Sequence, residues 1–152
     1  MFNVSVEVGV EDDIDVGALR LLAERVMAGE GVATGTALAI LVTDDEEIRA
    51  MNRQFLGIDE PTDVLSFPDE ADDFVQGVAG DALLGDIAIS LPTASRQAAA
   101  NGISVELEVA HLLVHGVLHL SGWDHVGSEE AEAAMRAREE WYVPGVKHSQ
   151  PH

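Results

Sequence analysis

The chain has 152 residues, 47% of them apolar, which is enough for one domain with a core and argues against a disordered chain. It contains no cysteine, which excludes disulfide bonds and thiolate chemistry. Its 28 acidic and 8 basic residues give a formal net charge of −20, which weighs against broad, nonspecific binding of nucleic acid. The N-terminus lacks a signal-peptide pattern, and the longest apolar run, Ala37–Val42, is too short to span a bilayer. We therefore expect a cytoplasmic protein.

The first half of the chain predicts two pairs of a strand followed by a helix. Alternating valines predict a strand at Phe2–Val10. Asp15 offers an N-cap for the next helix, and two glycines end it. Thr36–Thr43 is an apolar run of strand length. The segment Thr43-Asp44-Asp45-Glu46 is typical of an N-terminal cap with acids in the first turn, and this second helix should reach about Phe55.

The second half predicts two strands, an acidic loop and three helices. In chain order these are the strand Asp63–Phe67, the loop Asp69–Asp81, the strand Leu83–Ser90, and helices at Pro92–Ala100, Ser104–Leu120 and Ser128–Tyr142. The chain has no internal repeat and no linker. We therefore predict one α+β domain over residues 1–147, with a disordered tail at 148–152.

Three histidines stand close together in the segment HGVLHLSGWDH, at the end of the most apolar predicted helix. His115 and His119 are four residues apart, so both rings leave the same helix face, about 6 Å apart along the axis. Gly122 permits the turn that ends the helix, and the chain can then return with His125. Three imidazoles with an open fourth position are typical of catalytic zinc. Because burying unpaired imidazoles is costly, a shared Zn²⁺ explains all three.

His111 lies one further turn back on the same helix face. It could be a fourth ligand, a residue that supports a ligand, or a packed core residue. A fourth nitrogen would close the site, and reaching the ion over two turns strains the geometry. We favour a supporting or core role. His148 and His152 fall in the predicted tail and are not expected in the site.

The spacing of these histidines also matches the frame of the metzincin proteases. Zincin proteases place a glutamate directly after the first histidine, where it is the general base. This chain has Gly116 there, and Glu106 and Glu108 lie two or more turns upstream. The sequence therefore argues against a zincin-type protease.

Three segments together resemble one known family. HGVLHLSGWDH, PTDVLSFP at Pro61–Pro68 and LLGDIAIS at Leu83–Ser90 are similar, in this order, to the signatures of the YbeY family of endoribonucleases, or rRNA maturation factors. The resemblance implies a small mixed four-stranded sheet packed with about five helices, and a zinc ion on the three histidines. It implies maturation of small-subunit (16S) rRNA ends and ribosome quality control. The implied partners are that rRNA and ribosomal proteins or ribosome-associated factors, with no DNA and no membrane.

Two aspartates are candidate catalytic residues. Asp86 interrupts an apolar strand after Gly85, and Asp124 stands between Trp123 and His125. Each could orient a ligand histidine or accept a proton, or could instead be a solvated strand end or a loop cap. The resemblance also suggests that Pro61–Pro68 lines the cleft beside the metal, although its polar residues could equally make turns and strand-edge hydrogen bonds.

One position departs from the family pattern. The family commonly has an arginine, a natural phosphate contact, where this chain has Leu56. Arg53, one turn earlier, is our first candidate to replace it, and Arg49 and Arg96 are the others. Each of the three could instead be a solvated surface residue.

Three functions remain open from the sequence. The first is a zinc-dependent endoribonuclease whose metal is held by His115, His119 and His125. The second is a ribosome-assembly factor with little nuclease activity, which the leucine at position 56 favours. The third is a different zinc hydrolase, acting on a small phosphoester or a peptide.

Overall fold

The structure, a computed structural model, describes residues 2–10, 14–68, 83–122 and 129–144. The predicted acidic loop and tail, together with Asp124 and His125, lie outside the described residues. The strands are β1 (Asn3–Val8), β2 (Ala37–Thr43), β3 (Val64–Pro68) and β4 (Leu83–Ser90), and the helices are α1 (Val16–Gly29), α2 (Asp45–Leu56), α3 (Leu91–Asn101), α4 (Val105–Leu120) and α5 (Glu129–Tyr142).

Helices begin where the sequence supplies a short polar side chain before an apolar pattern. Asp15 accepts a hydrogen bond from the backbone N–H of Ala18 at 3.0 Å, and Asp44 accepts one from Glu47 at 2.9 Å. Ser104 does the same at the start of α4, where it accepts from Leu107 at 3.1 Å. These caps satisfy N–H groups that have no partner inside the helix. The predicted cap at Asp15 is confirmed, and within the predicted capping segment Thr43–Glu46 the structure assigns the cap of α2 to Asp44.

The four strands form one mixed sheet in the order β1-β2-β4-β3. The first two pairings are parallel, and β3 pairs antiparallel with β4. Val6, Ile40, Ile87 and Ser66 lie in one row across the sheet. Because side chains alternate between faces along a strand, this register fixes which residues share a face. The mixed four-stranded sheet that the resemblance implied is confirmed.

Helix α4 is the central element of the domain. It packs against β3 and β4 on one side and against α1, α3 and α5 on others. This environment explains why it is apolar on almost every side, since a helix buried all round needs no polar face. Helix α2 covers part of the opposite face of the sheet, where Ile48 packs with Leu65 and Ala88. The single α+β domain with five described helices agrees with the prediction.

Among the described helices, none taken singly has the length and hydropathy needed to cross a membrane. Helices α3 and α4 reach that length and composition only as a pair, and they bend by 114° where they meet.

Helix α5 is fastened to the end of α1 by a small polar network. The Tyr142 hydroxyl donates to Glu30 Oε2 at 2.6 Å, and Arg138 Nε donates to the same oxygen at 2.7 Å. Arg25 donates to the backbone carbonyl of Tyr142 at 3.1 Å. Burial and the neighbouring Glu30 carboxylate raise the pKa of Tyr142 to about 12, although Arg138 opposes them.

We expect the free energy of unfolding to fall as pH rises from 10.0 to about 12, because the folded state resists ionisation of Tyr142. The contribution of Tyr142 to the free energy of unfolding is fully present below the ordinary tyrosine pKa. It is lost as the pH rises toward the raised pKa of the folded state, and it amounts to roughly 2 kcal/mol. Urea titrations at several pH values measure it. Tyr142→Phe should flatten the slope in this range, and an unchanged slope in this variant would contradict the assignment.

Candidate metal centre

Two of the three predicted ligands lie side by side on α4. His115 and His119 occupy successive turns, with ring centroids 4.7 Å apart and ring planes at 78°. His115 is buried and His119 is half-buried near the end of the helix. The helix therefore presents two imidazoles together, one inside the core and one at its margin. Their role as zinc ligands stays a prediction.

The third predicted ligand, His125, lies outside the described residues, as does Asp124. Within the described ranges, no group of three or more His, Cys, Asp or Glu side chains is arranged to hold a metal ion. The role of His125 as the third ligand stays a prediction. Gly122, which follows the Ser121 cap of α4, has a φ of 106°.

A buried carboxylate on α5 holds the first histidine. Glu139 Oε2 accepts a hydrogen bond from His115 Nδ1 at 2.5 Å, and Glu139 Oε1 accepts one from His111 Nε2 at 2.9 Å. All three residues are buried. With Nδ1 of His115 turned toward the carboxylate, Nε2 is the nitrogen that can coordinate a metal. Metal-ligating histidines commonly have such a carboxylate on their other nitrogen.

Two opposing effects act on the pKa of the buried Glu139 carboxyl. Burial by itself would raise its pKa, but the hydrogen bonds from His111 and His115, with the charges of these rings, lower the pKa to about 2. These hydrogen bonds favour the charged form of the carboxylate beside His115.

Glu139 was missed by the sequence analysis. Its signal was present, because Met135, Glu139 and Tyr142 are the buried residues of α5 and have the spacing of one helix face. A charged residue on the buried face of an amphipathic helix needs a partner. The sequence alone does not say which residue that partner is.

His111 is a supporting residue in the geometry seen here. It is 5% exposed, and its Nε2 is engaged with Glu139. Of the three alternatives left open by the sequence, this contact favours the supporting and core roles over that of a fourth ligand. Glu108, one turn earlier on the same helix, is also fully buried.

Asp86 and the histidine helix lie on opposite faces of the sheet. Ile87 faces α4, where an ideal Cβ on Gly116 would come within 3.0 Å of its Cδ1. Asp86, the preceding residue, therefore faces the other way, into a groove of about 620 Å³ that Met51 and Glu7 also line. The carboxylate that orients His115 is Glu139 instead. A catalytic role for Asp86 stays a prediction.

Gly85, which precedes Asp86 in the third signature segment, allows close packing at the histidine end of α4. An ideal Cβ there would lie 2.4 Å from the Phe67 carbonyl oxygen and 2.9 Å from Leu120 Cδ2. The missing side chain lets β3 and the last turn of α4 approach β4 together. The interpretation that this glycine permits close approach of another backbone agrees with these contacts.

The third residue of the second signature segment, Asp63, has a structural role. Asp63 is buried, and its Oδ1 accepts a hydrogen bond from the Val64 N–H at 2.7 Å. Its Oδ2 accepts one from Gln97 Nε2 at 3.3 Å, and its backbone carbonyl accepts one from the Ser90 N–H at 2.9 Å. These bonds join β3 to β4 and α3. They favour the turn-making and strand-edge role for this residue.

The candidate arginines differ in their partners. Arg49 forms an ion pair with Asp59 through two hydrogen bonds, at 2.9 and 3.2 Å. Arg96 forms an ion pair with Asp45 at 2.8 Å. Arg53 is exposed in the last turn of α2, and its charge helps to lower the pKa of Asp59. Of the three, Arg53 has the side chain least committed to an ion pair in the described part of the chain.

Leu56 leaves an apolar surface where the family commonly has a cation. Its side chain is 56% exposed, beside Phe55 at 58%, and Ile58 follows at 47%. Phe55 packs against Phe67 with ring centroids 5.1 Å apart, and both phenylalanines line the groove with Leu56. No cation takes the place of the family arginine at this surface among the groove residues described.

The fold and the site define a small α+β protein with a buried histidine helix and a carboxylate that orients one histidine of a pair. The family model described as Endoribonuclease YbeY matches residues 7–146. The chain belongs to this family, as the three signature segments indicated.

Proteins named endoribonuclease YbeY from several bacteria are similar to it. The protein from Pelotomaculum thermopropionicum is 41% identical over 138 residues, covering 91% of this chain and 90% of the relative. That from Chloroflexus aggregans is 45% identical, covering 90% and 92%, and that from Geobacillus kaustophilus is 50% identical, covering 80% and 79%. The solution structure of TM1509 from Thermotoga maritima is 25% identical with a TM-score of 0.64, covering 92% of this chain and 86% of that one.

Proposed function

We propose that this chain is a zinc-dependent endoribonuclease that matures the ends of small-subunit (16S) rRNA and takes part in ribosome quality control. Its membership of the endoribonuclease YbeY family supports hydrolysis of RNA phosphodiester bonds. We further propose that His115, His119 and His125 hold the zinc ion, and that the protein works in the cytoplasm, where ribosomes are assembled.

One observation carries the metal part of this proposal. His115 and His119 stand together on one helix, and the buried carboxylate of Glu139 accepts a hydrogen bond from Nδ1 of the first ring. An isolated core histidine needs only one neutral hydrogen-bond partner. Metal-ligating histidines commonly donate a hydrogen bond from their second ring nitrogen to a carboxylate. His115 has such a carboxylate, and a second imidazole lies beside it.

A bound zinc ion would supply a Lewis acid for a phosphate oxygen and a water of lowered pKa. The protein's own residues would orient the ligands, contact the phosphate and transfer protons. Glu139 engages Nδ1 of His115, so that Nε2 would be the nitrogen to hold the ion. His119, half-buried near the end of α4, adds a nitrogen where the helix meets the surface. Arg53 is our first candidate for a phosphate contact, and Asp124 for accepting or returning a proton.

The acidic surface restricts how RNA can approach. A net charge of −20 repels a polyanion at long range, so binding must rely on local contacts. We propose that ribosomal proteins or ribosome-associated factors bring the protein to its RNA.

Removal of one ligand tests the function. We expect zinc-loaded wild-type protein to cut structured rRNA, and a chelator to stop it. His119→Ala should lower cutting by at least about 100-fold with unchanged circular dichroism, because the ion loses a ligand. His152→Ala, which removes a histidine from the predicted tail, is the matched control and should keep wild-type activity. Chelator-resistant cutting, or full activity of His119→Ala, would contradict the proposal.

The exposed apolar surface favours a second candidate, an assembly factor with little nuclease activity. Phe55, Leu56 and Ile58 form this surface where a phosphate-binding arginine is common in the family. Exposed apolar clusters mark protein contacts more often than RNA contacts. Binding to ribosomal particles without cutting of rRNA or of a plain oligoribonucleotide would favour this candidate over the first.

A further inference from the structure

Glu139 connects the proposed metal centre to α5, the last described helix. It lies on α5, whereas the two imidazoles that it engages lie on α4. We propose that Glu139 is the positioning residue of the metal centre and that, through it, zinc binding and the docking of α5 stabilise each other. This inference rests on the proposed zinc site and adds a regulatory link to it.

The geometry restrains both rings at once. One carboxylate oxygen accepts from His115 Nδ1 at 2.5 Å and the other from His111 Nε2 at 2.9 Å. His111 thereby fixes the carboxylate plane, and the carboxylate fixes His115. Rotation of the His115 ring would break the shorter bond inside a buried site. His115 Nε2 is therefore held in place before any ion arrives.

Packing alone does not account for a carboxylate at this position. Glu139 is 5% exposed, and its helix neighbours on the same face are Met135 and Tyr142. Burying a charge costs several kcal/mol of desolvation, which an apolar side chain of similar size would not incur. Orientation of a metal ligand is a role that an apolar side chain could not take. Of the two imidazoles, His115 makes the shorter hydrogen bond to Glu139.

The rest of α5 is attached away from the histidines. Arg138 and Tyr142 both bind Glu30 at the end of α1. Helix α5 thus has one polar attachment to α1 and one to the histidine helix. If α5 undocks from α4, His115 loses its hydrogen bond to Glu139. Because coupling between two equilibria is reciprocal, a zinc ion that needs an oriented His115 must also favour the docked helix.

The first experiment measures zinc affinity by competition with a chromogenic chelator. Glu139→Gln keeps the size of the side chain but cannot accept from both imidazoles, and should weaken zinc binding by about 10–100-fold. Glu140→Gln removes the same charge from an exposed position on the same helix and should stay within about twofold of wild type. A Co²⁺ absorption spectrum altered in the first variant and unchanged in the second would support the positioning role.

The second experiment measures hydrogen exchange in wild-type protein and Glu139→Gln. Zinc should slow exchange of α5 amides in wild type by a factor similar to the affinity difference, about 10–100-fold. The slowing should largely disappear in Glu139→Gln. If this variant does not fold, Arg138→Ala replaces it, since it loosens α5 from the α1 side while leaving both histidine contacts in place. In that variant zinc should restore much of the lost protection of α5.

The outcomes separate this inference from the proposed function. Equal zinc affinities and equal α5 protection in wild type and Glu139→Gln would overturn the inference and leave the zinc endoribonuclease intact. The inference would also fail if zinc did not restore α5 protection in Arg138→Ala. A wild-type protein that binds no zinc would overturn both.

Discussion

Gly116→Glu places a glutamate directly after the first histidine, as in the zincin proteases. This change is expected to destabilise the protein by about 4 kcal/mol or more and to create no protease activity. Position 116 faces the sheet, and an ideal Cβ there already lies 3.0–3.2 Å from three carbons of Ile87. A glutamate would place its carboxylate in the packed layer between α4 and β4. It would find an apolar strand instead of a peptide substrate.

Gly116→Ala is the matched control for this change. It adds only the Cβ, and the crowding against Ile87 is partly offset by the better helix propensity of alanine, for a net loss of about 1 kcal/mol. Urea unfolding followed by circular dichroism gives both values, and a casein assay with added zinc tests the protease. A Gly116→Glu protein as stable as wild type, or one that cleaves casein, would show that position 116 faces the histidines.

Gly85→Ala should lower the free energy of unfolding by about 3 kcal/mol or more. The added methyl group would clash with backbone of β3, which cannot move without disturbing its pairing with β4. The ideal Cβ is 2.4 Å from the Phe67 carbonyl oxygen, and Gly85 has a φ of +155°. Relief requires β3 to shift away from β4. Since Leu120 also lies within 2.9 Å, the last turn of α4 beside His119 should move with it.

Gly57→Ala separates crowding from backbone conformation. Gly57 ends α2 with a φ of +73°, but no atom lies within 4 Å of its ideal Cβ. This change should cost about 1 kcal/mol, the penalty of a left-handed residue alone. Hydrogen exchange should show loss of protection in β3 for Gly85→Ala and none for Gly57→Ala. Equal costs for the two variants would mean that the close approach of β3 does not constrain position 85.

The elements of this fold were predictable because the signals that specify them are local. The caps at Asp15 and Asp44 satisfy N–H groups three residues away, and glycines at Gly57 and Gly102 end α2 and α3 in the left-handed conformation. Helix and strand periods repeat within a few residues. The loop at 69–81, the tail, and the ligand His125 stay predictions, since they lie outside the described residues.

Within the site, the sequence by itself determined the histidine pair and the missing zincin base. Both follow from positions on one helix, where a spacing of four residues fixes the relative direction of two side chains. It also determined the family, through three signature segments. It did not determine what replaces the family arginine, because Arg49 and Arg96 form ion pairs that depend on other elements.

Only the tertiary structure decided the carboxylate partner of His115 and the orientation of Asp86. Glu139 is 24 residues from His115, and the two meet because α5 docks on α4. Asp86 directly precedes Ile87, which packs against the histidine helix, but the pleat of β4 turns the Asp86 side chain to the other face of the sheet. Local periodicity specifies the direction of a side chain relative to its own element. The contacts between elements follow from how they pack, which a period within one element does not encode.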